Sequence, residues 1–423
     1  MNLIIMPLKK IAKLLFNRIF YVAVALLLQL VWVFLFVWEL AGYSQYISLA
    51  ITVLSIVMVL WILNKRINPS YKLGWTMLIM AFPVFGLLLY LLFGHSRIAE
   101  EMQKRYTRVQ EDSIPYLQSD PRVCRKIQEE DSSAAVQSEY ICRHSVYPVH
   151  EHTKAEYFQV GDDMFPVLVK ELEQAEHYIY IEYFIINDGV MWRTILDILE
   201  QKVAQGVDVR LIYDGFGCLT TLPYKYDKFL REKGIQCKVF NPFRPVLNII
   251  QNNRDHRKIL VIDGHTAFTG GINLADEYIN KKVRFGHWKD TGIMLKGDAV
   301  TSFTMMFLQL WNVSEKGRED YGKYLQDPHY QYPGDLDRKG FVIPYGDSPL
   351  DKETVGEQVY LDIINTARTY VHIMTPYLIL NYELIQALTF AAKRGVETVI
   401  IMPHIPDKKY AFLLAKAHYA ELI

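Results

Sequence analysis

Three uncharged apolar runs crowd the first 93 residues: Ile19 to Trp38, Tyr46 to Leu63 and Leu73 to Phe93. Each is close to the roughly 20 residues that cross a bilayer core as a helix, and in lipid a helix satisfies its own backbone polar groups. They are expected to be membrane segments. The basic residues Lys9, Lys10, Lys13 and Arg18 ahead of the first run resemble the n-region of a cleaved signal. The run is too long for an h-region, no small-residue cleavage site follows it, and two more apolar runs come after it, so it reads as an anchor.

The four early basic residues and Lys65, Arg66 and Lys72 fall on one side if the first two runs both span, and the Glu39 to Gln45 loop carries no Lys or Arg. That is the positive-inside pattern. The third run contains Pro83 and Gly86 and precedes Arg97, Lys104, Arg105 and Arg108. A full third span would put those charges outside, whereas a broken, re-entrant helix would keep them inside. Sequence leaves open the number of spans and the side on which the remaining chain lies.

Lys+Arg and Asp+Glu balance at 46 each, which removes a global electrostatic case for a nucleic-acid partner. The four cysteines, Cys124, Cys142, Cys218 and Cys237, show neither C-x-x-C nor zinc-ligand spacing. The cluster His150-Glu151-His152 lacks the second helical-turn histidine of a zinc helix and reads as surface chemistry. No metal and no cofactor is expected.

The chain divides into a membrane anchor (1–95), a polar tether with short helices (96–150), an α/β unit (151–335) and a second, shorter α/β unit (336–423). The first α/β unit has a β-rich run from Tyr178 to Ile186. A helix follows with Ile195, Leu196, Leu199 and Val203 on one stripe, then Gly206 as a stop and Val207 to Tyr213 as a buried strand. The pattern from Ala175 recurs from Ala367, and Gly206 recurs as Gly395, which reads as an internal duplication. A second copy of whatever follows the first would fall at roughly residue 445 to 450, so the second repeat is expected to be incomplete and the chain truncated.

The stretch DHRKILVIDGHTAFTGGIN, residues 255–273, holds the chemistry. Lys258 to Ile262 is a strand by composition, and Asp263-Gly264 opens a tight hairpin. His256 and Lys258 share a strand face, while Asp263 has the opposite parity and more naturally fixes the turn. A neutral imidazole is a nucleophile, its ordinary pKa of about 6.5 lets it also act as an acid, and a lysine beside it suits an anionic phosphate. Gly270-Gly271 permits close backbone approach, and Asn273 offers a neutral donor to a phosphate oxygen. The set suits phosphoryl transfer through phosphohistidine.

DHRKILVIDG with GGIN resembles the HKD motif of the phospholipase D superfamily, with His256, Lys258 and Asp263 as its catalytic set. AFPVFGLLLYLLFG at 81–94, IEYFII, NNRDHRKILVIDG and TPYLI are similar to bacterial cardiolipin synthases, so the resemblance covers nearly the whole chain. It implies transmembrane helices followed by a duplicated phospholipase D-like α/β/α sandwich in a multi-pass protein of the bacterial cell membrane. It further implies transfer of a phosphatidyl group from one phosphatidylglycerol to another, giving cardiolipin and glycerol. One motif histidine attacks phosphorus and its partner protonates the leaving glycerol.

His256 is then the nucleophile, and Lys258 and Asn273 hold phosphate. Asp290 resembles the carboxylate that orients the histidine, and Glu182 points toward the same region. The family pattern has two HKD histidines and this sequence shows one, which leaves pairing of motifs in a homo-oligomer or a missing second half. Two other readings stand beside the synthase: a membrane-bound phosphodiesterase using water, and an inactive lipid-binding module.

Overall fold

The computed structural model describes residues 18–37, 41–65, 67–94, 97–242, 253–315, 319–325, 340–348 and 353–423. Lys9, Lys10, Lys13 and Arg66, on which part of the orientation argument rests, lie outside them. The chain forms two compact units, one built from residues 1–101 and 243–253 and one from residues 102–242 and 254–423.

The first unit is helical, with α1 at Arg18–Val37, α2 at Ala41–Asn64, α3 at Pro69–Ala81 and α4 at Pro83–Phe93. Among the described residues, Gln45–Asn64 is one stretch long and apolar enough to cross a membrane, at a mean hydropathy of 2.5. The third apolar run is not a continuous span. Pro83 supplies no N–H and its ring excludes the Ile79 carbonyl, so α3 stops at Phe82, whose backbone (φ −135°, ψ 76°) is pushed out of the helical region. The chain then folds back so tightly that a Cβ on Gly86 would lie 2.6 Å from the Ile79 Cα. At 1.5 Å per residue the two arms are about 20 and 16 Å long, well short of the hydrocarbon thickness of about 30 Å.

Restarting a helix leaves orphan amides, which cost several kcal/mol each in lipid. Gln29, buried on α1, accepts a hydrogen bond from the Phe85 N–H at 3.1 Å and removes one of them. Tyr90 of α4 meets Trp61 and Trp75 edge-on, with ring centroids at 5.8 and 5.1 Å. Lys65 lies 3.7 Å from the Trp61 centroid, and Lys72 donates to the Leu63 carbonyl at the exposed end of α2.

The second unit is a seven-stranded mixed sheet with helices on both faces. Its strands are β1 (Thr153–Phe158), β2 (Tyr178–Tyr183), β3 (Asp208–Asp214), β4 (Gln236–Phe240), β5 (Lys258–Ile262), β6 (Thr266–Gly270) and β7 (Gly292–Gly297). The order across the sheet is β1-β7-β6-β5-β2-β3-β4. β2, β3 and β4 are parallel, and β5 joins β2 antiparallel with Tyr183 opposite Lys258.

Alternation splits the core in two. Ile179, Ile181, Leu260 and Ile262 pack with Trp192, Ile195 and Leu199 of the helix Val190–Ala204. Tyr180, Ile259 and Val261 pack with Phe303, Phe307 and Trp311 of the helix Val300–Asn312. The central strands β2, β3 and β5 are buried on both faces, as expected where helices cover both sides of a sheet.

The stretch read as a polar tether with short helices is helical over most of its described length. Three helices occupy it, Arg97–Ser113, Pro121–Glu130 and Ser132–Ser145. Their apolar stripes and a few polar side chains are used on the sheet unit: Ser113 Oγ accepts from Gln309, and Gln137 donates to Asp362. Arg97–Ser113 and Pro121–Glu130 are amphipathic, each with an apolar stripe set in an otherwise polar sequence. His150, Glu151 and His152 go to three separate partners, Ser302, Lys126 and Asp298.

Toward the C-terminus, strands β8 (Tyr370–Met374) and β9 (Glu397–Ile401) are parallel and joined by the helix Tyr382–Lys393. This is the same strand–helix–strand order as β2 to β3. Its small core is formed by Ile364, Val371, Leu388, Ala391 and Val396.

Candidate active site

The reactive residues sit where the strand ends place them. The carboxyl ends of β2 and β3 and the amino end of β5 lie side by side, because β5 runs antiparallel to β2. Crevices beyond the carboxyl ends of such strands are where open α/β sheets bind ligands. His256 is exposed there, two residues ahead of β5, and Lys258, the first residue of β5, is buried beneath it.

His256 and Lys258 share a face, as the spacing requires. The Lys258 Nζ donates to the His256 carbonyl at 2.6 Å and stands 3.1 Å from its Nδ1 and 3.4 Å from its Nε2. Phe184 packs against the imidazole with centroids 4.6 Å apart. Desolvation, with Lys258 and Lys408 adding positive charge, pushes the His256 pKa down to about 4. Desolvation also lowers Lys258, to about 8, against the pull of Asp255 and Asp290. At neutral pH the imidazole is therefore unprotonated beside a cation, the state a nucleophile for phosphorus needs.

Lys408 was not singled out from the sequence. It follows β9, and it lies 5.4 Å from the Tyr377 ring, whose hydroxyl bonds Asp407. A charge in an irregular C-terminal loop carries no local pattern, so only tertiary structure reveals that its positive charge is felt at His256.

Several expected partners do other work. Asp263 is in the left-handed region (φ 50°), and its carboxylate accepts the backbone N–H groups of Glu176, His177 and Tyr178 at 2.7, 2.8 and 2.7 Å. It ties the hairpin turn to the start of β2, at the opposite end of β5 from His256, and is not within the reactive set. Asn273 is buried: its Oδ1 accepts from the Ile185 N–H at 3.0 Å, and its Nδ2 donates to the Tyr278 hydroxyl at 2.8 Å. Its amide braces the loop after β2, in place of the phosphate contact expected of it.

The two glycines serve the fold. Gly270 has φ +142°, and a Cβ there would meet the Thr291 carbonyl oxygen at 2.4 Å, while one on Gly271 would lie 1.9 Å from the Asp290 Oδ1. The close approach is to β7 and Asp290. Asp290 accepts from the Thr291 N–H at 3.0 Å, and desolvation holds its pKa above the usual value. Among the described residues the imidazole's hydrogen-bonding neighbour is Lys258, so Asp290 bears on the site through Lys258. Glu182 is correctly placed on β2 but on the other face: it is fully buried and pairs with Arg257, Nε to Oε1 2.5 Å. Parity gave this away, since Glu182 and Tyr180 point away from Tyr183, the strand partner of Lys258.

The family model described as "Cardiolipin synthase, PLD-like domain" matches residues 168–311, which hold strands β2 to β7 of this sheet and its reactive end. A second model, "Phospholipase_D-nuclease N-terminal", matches residues 53–95. A Bacillus cereus protein named cardiolipin synthase 2 is 32% identical over 84% of this chain and 68% of its own length. The chain belongs to the cardiolipin synthase family. Another member is a cardiolipin synthase of Halalkalibacterium halodurans, 29% identical over 91% of this chain and 75% of its own length. An uncharacterized protein of Streptococcus mutans is 46% identical over 86% of this chain and 78% of its own length. Membership makes this an enzyme of the phospholipase D-like phosphatidyltransferases, and it is consistent with the apolar helices of the first unit.

Proposed function

We propose that the protein transfers a phosphatidyl group from one phosphatidylglycerol to the glycerol hydroxyl of another, through a phosphohistidine on His256. The observation that carries the reading is the His256 imidazole set against the buried Lys258 ammonium, Nζ to Nδ1 3.1 Å. In the first step a ring nitrogen of His256 bonds to phosphorus, the P–O bond to glycerol breaks, and an acid protonates the departing oxygen. In the second, the hydroxyl of another phosphatidylglycerol attacks phosphorus, gives up its proton to a base, and the P–N bond breaks to release cardiolipin. Lys258 holds the anionic oxygens throughout, and Lys408 adds a second positive charge from the β8–β9 side.

The acid and base of the two steps come from a second imidazole in this reading. The β8–helix–β9 order matches that of β2 to β3, which supports an internal duplication, and a second repeat or a partner chain in a homo-oligomer would be the source of that imidazole. In the first unit, α1 and α2 cross the bilayer and the α3–α4 hairpin enters it without crossing, which makes the protein multi-pass in the bacterial cell membrane. The short hairpin arms support that arrangement.

The test is phosphatidylglycerol turnover in detergent or liposomes, with lipid products resolved by mass spectrometry, for the chain and for His256→Ala. Cardiolipin and glycerol from the first and neither from the second is the expected result. Phosphatidic acid as the product would make the enzyme a water-using phosphodiesterase, and no turnover by either folded chain would leave it a lipid-binding module.

A further inference from the structure

The two residues flanking His256 send their side chains to the opposite face of the sheet, into a closed group of charges. Asp255 and Glu182 are buried there, and Arg257 is half-buried beside them. Arg257 Nε contacts Glu182 Oε1 at 2.5 Å, and its backbone N–H donates to Asp255 Oδ1 at 3.2 Å. The backbone N–H of Asp255 donates to Asp214 Oδ2 at 3.1 Å. Asp214 is otherwise satisfied: its Oδ1 accepts from Phe216 and Gly217 and faces Arg254. Glu182 and Asp255 are thus two buried carboxyl groups left to one guanidinium.

Their outer oxygens make the point sharper. Glu182 Oε2 and Asp255 Oδ2 are both enclosed, neither has a hydrogen-bond partner among the described residues, and the two carboxyl groups meet at the same guanidinium nitrogen, 2.5 and 3.7 Å from Arg257 Nε. Two carboxylates cannot bond each other, and a buried, unpaired carboxylate oxygen is costly. The other titratable groups facing Arg257, Tyr106 and Tyr147, are phenols that are neutral near pH 7 and do not alter the charge balance.

We propose that Glu182 and Asp255 share one proton, and that the pair so formed holds Arg257 and thereby positions His256 between its two anchored neighbours. The proton joins Oε2 to Oδ2, and the single remaining negative charge balances Arg257. Burial raises both carboxyl groups, Glu182 well above its ordinary value, in keeping with a retained proton. Because Asp255 and Arg257 are both fixed through this group, the backbone carrying His256 has little freedom to rotate the imidazole away from its target, which is where orientation gains rate.

The test compares melting against pH for the full chain, Glu182→Gln, Asp255→Asn and the double variant, with hydrogen exchange of the peptide covering residues 254–258. One neutral amide can replace one protonated carboxyl group, so each single variant should melt within a few degrees of the parent near pH 7. The double variant leaves Arg257 without a counter-charge and should melt far below the sum of the two single effects. A group raised in the folded state stabilises fully below its unfolded pKa and loses that contribution as pH rises through the folded one. The parent's midpoint should therefore fall with pH above the ordinary carboxylate range, and the single variants should lose that slope.

Single variants as damaging as the double, or an unchanged slope, would overturn the shared proton. Arg257→Lys, which keeps the charge without the planar fork, should speed exchange at residues 254–258 severalfold while the melting midpoint holds, and lower kcat about tenfold at constant KM. Unchanged exchange would overturn the positioning role. Melting and exchange need no turnover, so they stand apart from the transferase reading, on which the kcat measurement alone rests.

Discussion

At the scale of single residues, the proposed reaction needs one base neutral and one cation charged. His256 loses its nucleophilic form as pH falls through about 4, and Lys258 loses its charge as pH rises through about 8. The pH profile of kcat/KM for phosphatidylglycerol should accordingly rise with a midpoint near 4 and fall with a midpoint near 8. Lys258→Met should remove the upper limb and lower kcat/KM by about two to three orders of magnitude, a loss typical of a charge-stabilising donor. Asp263 makes a different kind of contribution. Removing its carboxylate strands three backbone donors at the start of β2, so Asp263→Ala should cost about 3 kcal/mol, read as a lowered midpoint in denaturant. The motif thus joins two reactive residues at one end of β5 to a structural one at the other. Alternation along the strand makes that division legible in the residue spacing. The destination of the Asn273 amide has no such local signal, because its partners Ile185 and Tyr278 approach from other loops.

At the scale of elements, Pro83 and Gly86 convert an apolar run of spanning length into a hairpin. The proline ends α3, and the glycine lets α4 close on Ile79. Gly86→Leu would insert a side chain where a Cβ already meets backbone at 2.6 Å. The arms should separate at a cost of about 3 kcal/mol, seen as a lower melting midpoint in detergent and as altered Trp61 and Trp75 fluorescence. Residues 96–150 show a different case, in which a polar stretch forms three amphipathic helices whose apolar positions pack partly on one another. Val123 and Ile127 lie on one such stripe, against Val149 and Ala135.

At the scale of the molecule, the loop after β9 brings Lys408 toward a histidine 152 residues earlier in the chain. That placement argues for a substrate site with contributions from both α/β segments. Lys408→Ala should raise KM for phosphatidylglycerol severalfold while sparing kcat. It should also move the lower limb of the pH profile upward, because a positive charge that disfavours the imidazolium is gone.

The sequence alone determined the apolar runs, the α/β alternation, and the His256 and Lys258 pair, since each is written in local period or spacing. It also carried the family, through motifs whose residues lie within a few positions of one another. Tertiary structure decided what those features face: that Glu182 turns to Arg257, that the double glycine admits β7 and Asp290, and that the charge of Lys408 is felt at His256. Periodicity fixes the side of a strand on which a residue lies, but the groups waiting on that side are set by how distant segments pack, and burial then sets their charge.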